Sequence, residues 1–416
     1  MRIASSLICA MVAISATPVM AKPHHHHASA AAPAWVTTWA SAQMVPGADS
    51  ALPVQATPDV TLRQVIHIGD GGTSFRLRLS NSQGAMPLHI SAVHMAVAAA
   101  PDSSLTVAGS DRVVTFNGAG DIVIPPWSDF ISDPVAMTAG NGASLSVSLY
   151  VPEIPATFTG HPGSRSTSYL VAGDHTADGD LTAPATFDHW YAIAGLDVVA
   201  TAKIKGIIAF GDSITDGYGI VHNSNSRYPD DLSARLRANG HTHRPVLNLG
   251  IGGNRLLLDG LGPNALARFD RDVLSQSGAA YIVVLEGVND LGVLTRDAPA
   301  SAADHAAMVQ QIEQAYVQMI DRAHSHGLKI FGGTIMPFLG MDYYHPPAAT
   351  EADRQAVNLW IRTSGRFDKV IDFDMALRDP QQPDRLNPAY DSGDHLHPSP
   401  AGYKAMADSV DLNLFK

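Results

Sequence analysis

The chain has 416 residues, of which 45% are hydrophobic and 16% are charged. This composition is typical of a folded globular protein, and the length allows two domains that each bury a core. The 27 Lys and Arg residues stand against 39 Asp and Glu residues, a formal net charge of −12. An acidic surface excludes nucleic acids and anionic lipids as partners, because phosphate contacts need clustered Lys and Arg.

Residues 1–21 have the pattern of an export signal. A basic start at Arg2 is followed by an apolar run over residues 3–14, and Ala21 ends a stretch with small residues where a signal peptidase cuts. We expect a secreted or periplasmic protein without integral membrane association, because the run is shorter than the about 20 apolar residues that span a bilayer. The single cysteine, Cys9, lies in this segment, so the mature chain has no disulfides.

Residues 22–34 are predicted to be a linker rich in His and Ala. Four consecutive histidines occupy positions 24–27. Such a run can capture a metal, but its surroundings of Ala, Ser and Pro favour a solvated tether. We predict no metal site here.

Residues 35–200 show the period-two pattern of half-buried strands. Apolar residues at 75, 77 and 79 alternate with arginines, and those at 145, 147 and 149 alternate with serines. Further strands are predicted over residues 60–68, 88–97, 112–116 and 121–124, between turns rich in Gly, Asn and Pro. Many short strands without a helix favour a β-sandwich or jelly-roll-like domain.

Residues 201–416 alternate short apolar strands with helices. The runs at 204–210, 246–249, 281–285, 330–335 and 370–373 are typical of parallel strands that are covered on both faces. Residues 303–326 place apolar side chains on one helical stripe, and Gly327 follows as a C-terminal cap. The pattern predicts a three-layer α/β/α domain.

The ends of these strands carry the residues that suggest chemistry. Gly211-Asp212-Ser213 follows the first strand, Gly252-Gly253-Asn254-Arg255 the second and Gly287-Val288-Asn289-Asp290 the third. The carboxyl ends of parallel strands meet at one edge of a sheet, where glycines free backbone N–H groups and Asn289 supplies a neutral donor. Near the C-terminus, Asp394 and His397 are close enough for the carboxylate to orient the imidazole towards Ser213.

These four segments, in this order, resemble the sequence blocks of the SGNH (GDSL-type) hydrolases over about residues 204–412. The resemblance implies a flavodoxin-like sheet of strand order 2-1-3-4-5 and ester hydrolysis without a cofactor. It also implies that Ser213 is the nucleophile, His397 the base and Asp394 the residue that orients the base. The oxyanion would bind to backbone N–H groups of Ser213 and Gly253 and to the side chain of Asn289.

The whole chain also resembles secreted aryl and acyl esterases, some of them associated with xylan degradation, through Trp35-Val36-Thr37-Thr38-Trp39-Ala40 and the tail from Tyr390 to Pro398. This favours a small-molecule or polysaccharide ester with short acyl groups as substrate. A lipase or lysophospholipase, or a non-catalytic carbohydrate-binding protein, is the alternative. The sequence leaves the oligomeric state open.

Four assignments near the site have alternatives. Asp216, Tyr218 and Arg255 are candidates for substrate contacts, against simple packing. His395 is a second candidate for the base, although an extended loop would point it away from a site that His397 faces. In the strand-rich region, Trp127, Trp190 and Tyr191 are interpreted as an interface or core, with a sugar-stacking face as the alternative.

Overall fold

The computed structural model describes residues 34–50, 52–53, 58–200 and 204–416. The predicted signal segment and all but the last residue of the predicted linker lie outside the described residues. Residues 34–416 form one compact unit.

Among the described residues of the N-terminal part are fifteen strands and a 3₁₀ turn, Ala48–Ser50. In chain order they are β1 (Trp35–Ala40), β2 (Val60–His67), β3 (Gly72–Ser80), β4 (Leu88–Ile90), β5 (Ala92–Val97), β6 (Arg112–Val113), β7 (Ile122–Ile124), β8 (Asp129–Ile131), β9 (Val135–Ala139), β10 (Ser144–Val151), β11 (Gly160–His161), β12 (Ser168–Ala172), β13 (Ala185–Phe187), β14 (Trp190–Tyr191) and β15 (Ile193–Val199).

These strands pair antiparallel in two larger sheets and two short ribbons. One sheet has the order β1-β15-β3-β8, with β9 also on β3, and the other has the order β13-β12-β2-β10-β5-β6. Strands β11 and β14 form one ribbon, and β4 and β7 the other. Apolar residues of both larger sheets, among them Phe75 and Leu149, meet in one buried cluster. The predicted strand-rich region is therefore present.

The single strand predicted over residues 88–97 is wrong, because the structure has two strands there in different sheets. β4 pairs with β7, whereas β5 pairs with β10 and β6. The buried positions change phase across Ser91, from Leu88 and Ile90 to Val93 and Met95. Because a strand alternates its faces with a period of two, this change of phase marks the point where the chain leaves one sheet for the other.

The C-terminal part is a five-stranded parallel sheet with helices. Its elements are β16 (Gly206–Gly211), α1 (Ser213–Asp216), α2 (Tyr228–Ala238), β17 (Val246–Gly250), α3 (Ala265–Phe269), a π-helical turn (Asp270–Leu274), β18 (Ala279–Leu285), α4 (Val288–Arg296), α5 (Ala302–Ser325), β19 (Lys329–Gly333), α6 (Ala348–Thr363), β20 (Lys369–Ile371), α7 (Phe373–Leu377), α8 (Pro400–Ser409) and a 3₁₀ turn (Leu412–Phe415). The strand order β17-β16-β18-β19-β20 is the predicted 2-1-3-4-5.

The long predicted helix is confirmed as α5, one residue longer at its start and one shorter at its end. Its buried residues include Ile312, Tyr316 and Met319, which lie on one stripe as expected. Gly327 follows with a φ of 72°, the left-handed conformation that ends many helices. No helix among the described residues combines the length and apolar character needed to cross a membrane.

The strand-rich part packs directly on the α/β part. The backbone N–H of Thr37 in β1 donates to the carbonyl of Ser277, and the N–H of Ser277 donates back to the Thr37 hydroxyl, both at 3.0 Å. Arg271 reaches the carbonyl of Gln43. These contacts join β1 and the segment after it to the residues that precede β18.

Candidate active site

Ser213 lies on a tight turn between β16 and α1. The carboxylate of Asp212 caps the helix by accepting the N–H of Ile214 at 2.9 Å, and Gly217 ends the helix in a left-handed conformation. As the first residue of α1, Ser213 has an N–H at the helix end where backbone donors have no partner within the helix. The turn therefore presents both a hydroxyl and a backbone donor at the carboxyl edge of the sheet.

The side chains of Ser213, His397 and Asp394 form a chain of two hydrogen bonds. The Ser213 Oγ lies 2.7 Å from Nε2 of His397, and Nδ1 of the same ring lies 2.6 Å from Oδ2 of Asp394. The other carboxylate oxygen of Asp394 accepts the N–H groups of Leu396 and His397. Burial alone would raise the pKa of Asp394, but the hydrogen bonds and charge of His397 outweigh it and hold the pKa well below its ordinary value.

His395, the other candidate base, points away from this chain. Its Nδ1 lies 2.6 Å from Oδ2 of Asp391, and its side chain is about half exposed. Its backbone has a φ of 65°, so the loop is not extended at this residue, contrary to expectation, although the side chain still points away. The structure thus brings His397, rather than His395, to Ser213.

The loop that carries His397 is fixed from both sides. Ser399 caps α8 by accepting the N–H of Gly402, and Pro400 occupies the first turn, as the sequence predicts. On the other side, the Tyr218 ring lies 4.3 Å from the imidazole, centroid to centroid. The imidazole is therefore held between a capped helix and an aromatic ring.

Gly253 and Asn289 line the cleft next to Ser213. Gly253 has a φ of 71°, and a Cβ there would approach Leu261 to 2.6 Å, so no other residue fits without strain. The Nδ2 of Asn289 donates to the carbonyl of Asn254 at 2.7 Å, which leaves its second hydrogen free.

The orientation of the Asn289 amide follows from its partners. A carbonyl only accepts, so the NH₂ group must face Asn254, and Oδ1 must then accept the hydroxyl of Tyr344, which lies 2.6 Å away. Burial raises the pKa of Tyr344 above its ordinary value, so the phenol remains a donor. Gly292 of α4 makes room, because a Cβ there would lie 2.5 Å from the Tyr344 ring.

A fully buried arginine joins the strand ends beneath the site. Arg268 donates to the carbonyls of Gly211 and Leu249, to Oδ1 of Asn254 and to the carboxylate of Glu286. These partners lie at the ends of β16, β17 and β18. Arg268 therefore sets the relative positions of the segments that carry the candidate site.

Buried carboxyl groups lie near this arginine: Asp272 and Glu286 pair with its guanidinium, and its charge acts on Asp212. Burial raises the pKa of Asp212 to about 7 and that of Asp290 to about 6, and burial followed by the charge of Asp212 raises the pKa of Glu286 well above its ordinary value. Asp290 accepts the N–H groups of Leu256 and Leu257. Arg268 opposes the rise at Asp212 and Glu286, and Arg255 opposes it at Asp290, but burial is the larger effect on the pKa of all three.

A cleft of about 1050 Å³ opens above Ser213. Residues of the strand-rich part form one wall, among them His161, Arg165 and His189, and residues of the α/β part form the other. The candidate site is therefore built from both parts of the chain.

The three candidate substrate contacts all line this cleft but differ in exposure. Tyr218 is 49% exposed and Arg255 is partly exposed. Asp216 is only 2% exposed, and its carboxylate is paired with His161 at 2.9 Å. Its partners in the structure are thus side chains of the strand-rich part.

Sequence reasoning missed His161, Arg165 and Tyr344. The first two are separated from Asp216 by about fifty residues and belong to a region interpreted as a separate domain, and no local motif marks any of the three.

Trp190 and Tyr191 lie in the buried core, whereas Trp127 is 68% exposed. Among the described residues, no group of three or more His, Cys, Asp or Glu side chains could hold a metal ion.

Residues 209–405 match the GDSL-like Lipase/Acylhydrolase family. Comparison with curated proteins gave no match. Among solved structures, a GDSL-like lipase from Bacteroides thetaiotaomicron is 20% identical, with 49% of this chain and 84% of that chain covered and a TM-score of 0.36. A lipase/acylhydrolase from Enterococcus faecalis is 21% identical, with 50% and 93% covered and a TM-score of 0.38.

An acetyl xylan esterase from Geobacillus stearothermophilus is 18% identical, with 50% of this chain and 94% of that chain covered and a TM-score of 0.36. Each of these likenesses covers about half of this chain, and the family match covers the sheet edge described above. Residues 209–405 thus carry a GDSL-like lipase/acylhydrolase domain.

Proposed function

We propose that this chain is an exported serine esterase in which Ser213 is the nucleophile, His397 the general base and Asp394 the residue that orients it. The observation that carries the proposal is the continuous chain of hydrogen bonds from Ser213 Oγ through both nitrogens of His397 to Asp394. Asp394 remains ionised at working pH because its pKa is lowered, so it stabilises the imidazolium that forms during the reaction.

The reaction has two halves. Nε2 of His397 takes the Ser213 proton while Oγ attacks the acyl carbon, and the imidazolium then returns that proton to the departing alcohol, which leaves an acyl-enzyme. In the second half, His397 takes a proton from water, the hydroxide attacks the acyl carbon, and the proton returns to Oγ as the carboxylic acid leaves. No metal or cofactor takes part in these steps.

The negative charge on the tetrahedral oxygen would be stabilised by three donors. They are the backbone N–H groups of Ser213 and Gly253 and the second hydrogen of the Asn289 amide. Donors that are already oriented stabilise the transition state without reorganisation, which is the source of their effect on rate. The hydrogen bonds of Asn289 to Asn254 and Tyr344 support this assignment, because they fix the amide before substrate binds.

Short acyl groups on carbohydrate or aryl alcohols are the proposed substrates. The cleft is wide, and its walls present polar and aromatic side chains such as Arg165, Tyr218 and Tyr343. A bulky alcohol could lie against these walls while a small acyl group faces the three donors. In this scheme the Asp216 carboxylate acts through its contact with His161 and not on the substrate directly. Tyr218 and Arg255 remain the proposed substrate contacts.

A second pocket favours one alternative, an esterase or lipase for longer acyl chains. A largely apolar cavity of about 680 Å³ lies beside the cleft and shares Arg255 and Val293 with it. Leu257, Leu266 and Met308 are among its lining residues. Aryl esters with acyl chains of increasing length distinguish the two: a maximum of kcat/KM at the acetyl ester supports the first proposal, and a maximum at long chains that is lost in Leu266→Trp supports the second.

The remaining assignments are also proposals. We propose that residues 1–21 are removed on export to the periplasm or medium, that residues 22–34 are a linker, and that residues 35–200 are a jelly-roll-like accessory β-sandwich preceding a catalytic domain at residues 201–416. N-terminal sequencing of the exported protein tests the first point. A mature chain that begins at Lys22 is expected, and a chain that retains Met1 would contradict export by this signal.

The experiment that tests the mechanism compares Ser213→Ala with two histidine variants of one loop. We expect Ser213→Ala and His397→Ala to lose nearly all turnover of an aryl acetate, because members of such a triad act as a unit. His395→Ala is the matched control and should retain a sizeable fraction of activity with the same pH dependence. A folded Ser213→Ala enzyme with wild-type turnover would overturn the proposal.

A further inference from the structure

The last residue of β11 in the strand-rich part, His161, meets the last residue of α1, Asp216, in a buried contact. Nε2 of His161 lies 2.9 Å from Oδ1 of Asp216, and Nδ1 of the same ring lies 2.8 Å from the carbonyl of Ala42. His161 is 4% exposed and Asp216 is 2% exposed. The contact thus joins the two parts of the chain directly behind the turn that carries Ser213.

The partners of His161 fix its hydrogens. A carbonyl only accepts, so Nδ1 must carry a hydrogen that it donates to Ala42. Nε2 faces a carboxylate oxygen of Asp216, and the hydrogen bond between the two side chains is buried. Such a bond is costly to break, because a buried polar group would lose its partner.

Two residues of the loop that follows His161 also contact Asp216. A Cβ on Gly163 would lie 1.8 Å from Oδ2 of Asp216, so only glycine allows the loop to pass this close. Nη2 of Arg165 lies 3.9 Å from the same oxygen, and Nε of Arg165 lies 3.4 Å from the carbonyl of Gly217. His161 and two residues of the loop after β11 therefore converge on a single carboxylate.

Asp216 is coupled to Ser213 through the backbone of a single helical turn. Its N–H donates to the carbonyl of Asp212 at 2.9 Å. The N–H groups of Gly217 and Tyr218 both donate to the carbonyl of Ser213, each at 2.9 Å. A shift of the Asp216 side chain and backbone would therefore move Ser213 and also the Tyr218 ring that packs on His397.

We propose that His161 is a positioning residue for the esterase reaction: through Asp216, the strand-rich part holds the nucleophile turn in the geometry that its hydrogen bond to His397 requires. This proposal rests on the assignment of Ser213 as nucleophile. It gives the proposed accessory β-sandwich a direct part in the geometry of the active site. A misplacement of about 1 Å at a reacting group costs about 10² in rate, so the contact is large enough to matter.

Two substitutions separate the two hydrogen bonds of His161. The amide of His161→Asn reaches about as far as Nδ1, so it can retain the Ala42 contact but loses Asp216. The longer His161→Gln places an NH₂ group near the position of Nε2, so it can retain the Asp216 contact and loses Ala42. His175→Asn is a control of the same kind, because His175 is an exposed residue of the strand-rich part that pairs with Asp178.

The measurements are kcat and KM for an aryl acetate, with circular dichroism to verify folding. We expect His161→Asn to lower kcat by about 10² with little change in KM. His161→Gln should recover kcat to within about tenfold of wild type, and His175→Asn should match wild type. Asp216→Asn, which replaces the carboxylate on the other side of the contact by an amide, should lower kcat as His161→Asn does, and it serves if His161→Asn does not fold.

Three results would overturn the proposal. They are wild-type kcat in both His161→Asn and Asp216→Asn, a loss confined to KM, and equal losses of kcat in the Asn and Gln variants of His161. Ser213→Ala is measured alongside. An inactive Ser213→Ala enzyme with a fully active His161→Asn enzyme refutes only the positioning role, whereas an active Ser213→Ala enzyme refutes the serine mechanism itself.

Discussion

Replacing Tyr344 by phenylalanine removes one hydroxyl and tests how the Asn289 amide is oriented. In the structure this hydroxyl donates to Oδ1 of Asn289 at 2.6 Å, while Nδ2 donates to the carbonyl of Asn254. Without the hydroxyl, the amide keeps one of its two fixed contacts. Its Oδ1 is then a buried acceptor without its donor, and the amide can rotate away from the orientation that serves the oxyanion.

The expected effect on rate follows from the value of one hydrogen bond. A net contribution of about 0.5–1.5 kcal/mol corresponds to a loss of about 2- to 12-fold in kcat. Loss of the Asn289 donor itself in Asn289→Ala should cost about 10²–10³ in kcat. Leaving a buried acceptor unpaired should also lower the free energy of unfolding by about 1–3 kcal/mol.

A double-mutant cycle provides the assay. The kcat and KM of wild type, Tyr344→Phe, Asn289→Ala and the double variant are measured with an aryl acetate, and unfolding is followed in denaturant. If Tyr344 acts through Asn289, adding Tyr344→Phe to Asn289→Ala should change kcat less than twofold. Equal losses in both backgrounds would refute the reasoning, because Tyr344 would then act independently of the amide.

Three further predictions concern the surroundings of the site. Burial raises the pKa of Asp212 to about 7, so above about pH 4 the folded state keeps a proton that the unfolded state has lost. The proton stabilises the folded state at low pH, and this stabilisation is lost as pH rises through 7. Wild type should therefore lose stability relative to Asp212→Asn by up to about 1.4 kcal/mol per pH unit between pH 5 and 7, and parallel unfolding curves would contradict this. Gly253→Ala, which places a Cβ 2.6 Å from Leu261 at a positive φ, should lower kcat more than it raises KM, and unchanged kinetics would argue against an oxyanion role. Chelation should leave activity unchanged, whereas loss with a chelator and recovery with zinc would contradict the cofactor-free mechanism.

The residues of the hydrogen-bond chain were accessible from the sequence because each lies in a short local motif. Ser213 and Asn289 directly follow apolar strands, and Asp394 is only three positions from His397. The sheet order then brings the carboxyl ends of β16, β17 and β18 together. Local motifs and the order of the parallel strands were sufficient to predict that these residues lie close together.

The residues that position these hydrogen-bonded side chains from a distance could not be predicted in the same way. His161 reaches Asp216 through a contact between two regions of different architecture, and its spacing from Asp216 follows no periodicity. Tyr344 lies in a loop whose path to Asn289 depends on the missing side chain of Gly292. Such contacts depend on tertiary packing, which the pattern of one sequence does not specify.

Covalent labelling with a fluorophosphonate, followed by mass spectrometry of the peptides, tests the central claim most directly. Such a probe reacts with an activated serine and leaves a tetrahedral phosphorus that resembles the proposed intermediate. We predict one adduct on Ser213 that forms in step with loss of esterase activity, and no adduct in Ser213→Ala. Complete inactivation with Ser213 unmodified, or an adduct on another residue that forms equally fast in Ser213→Ala, would contradict the account.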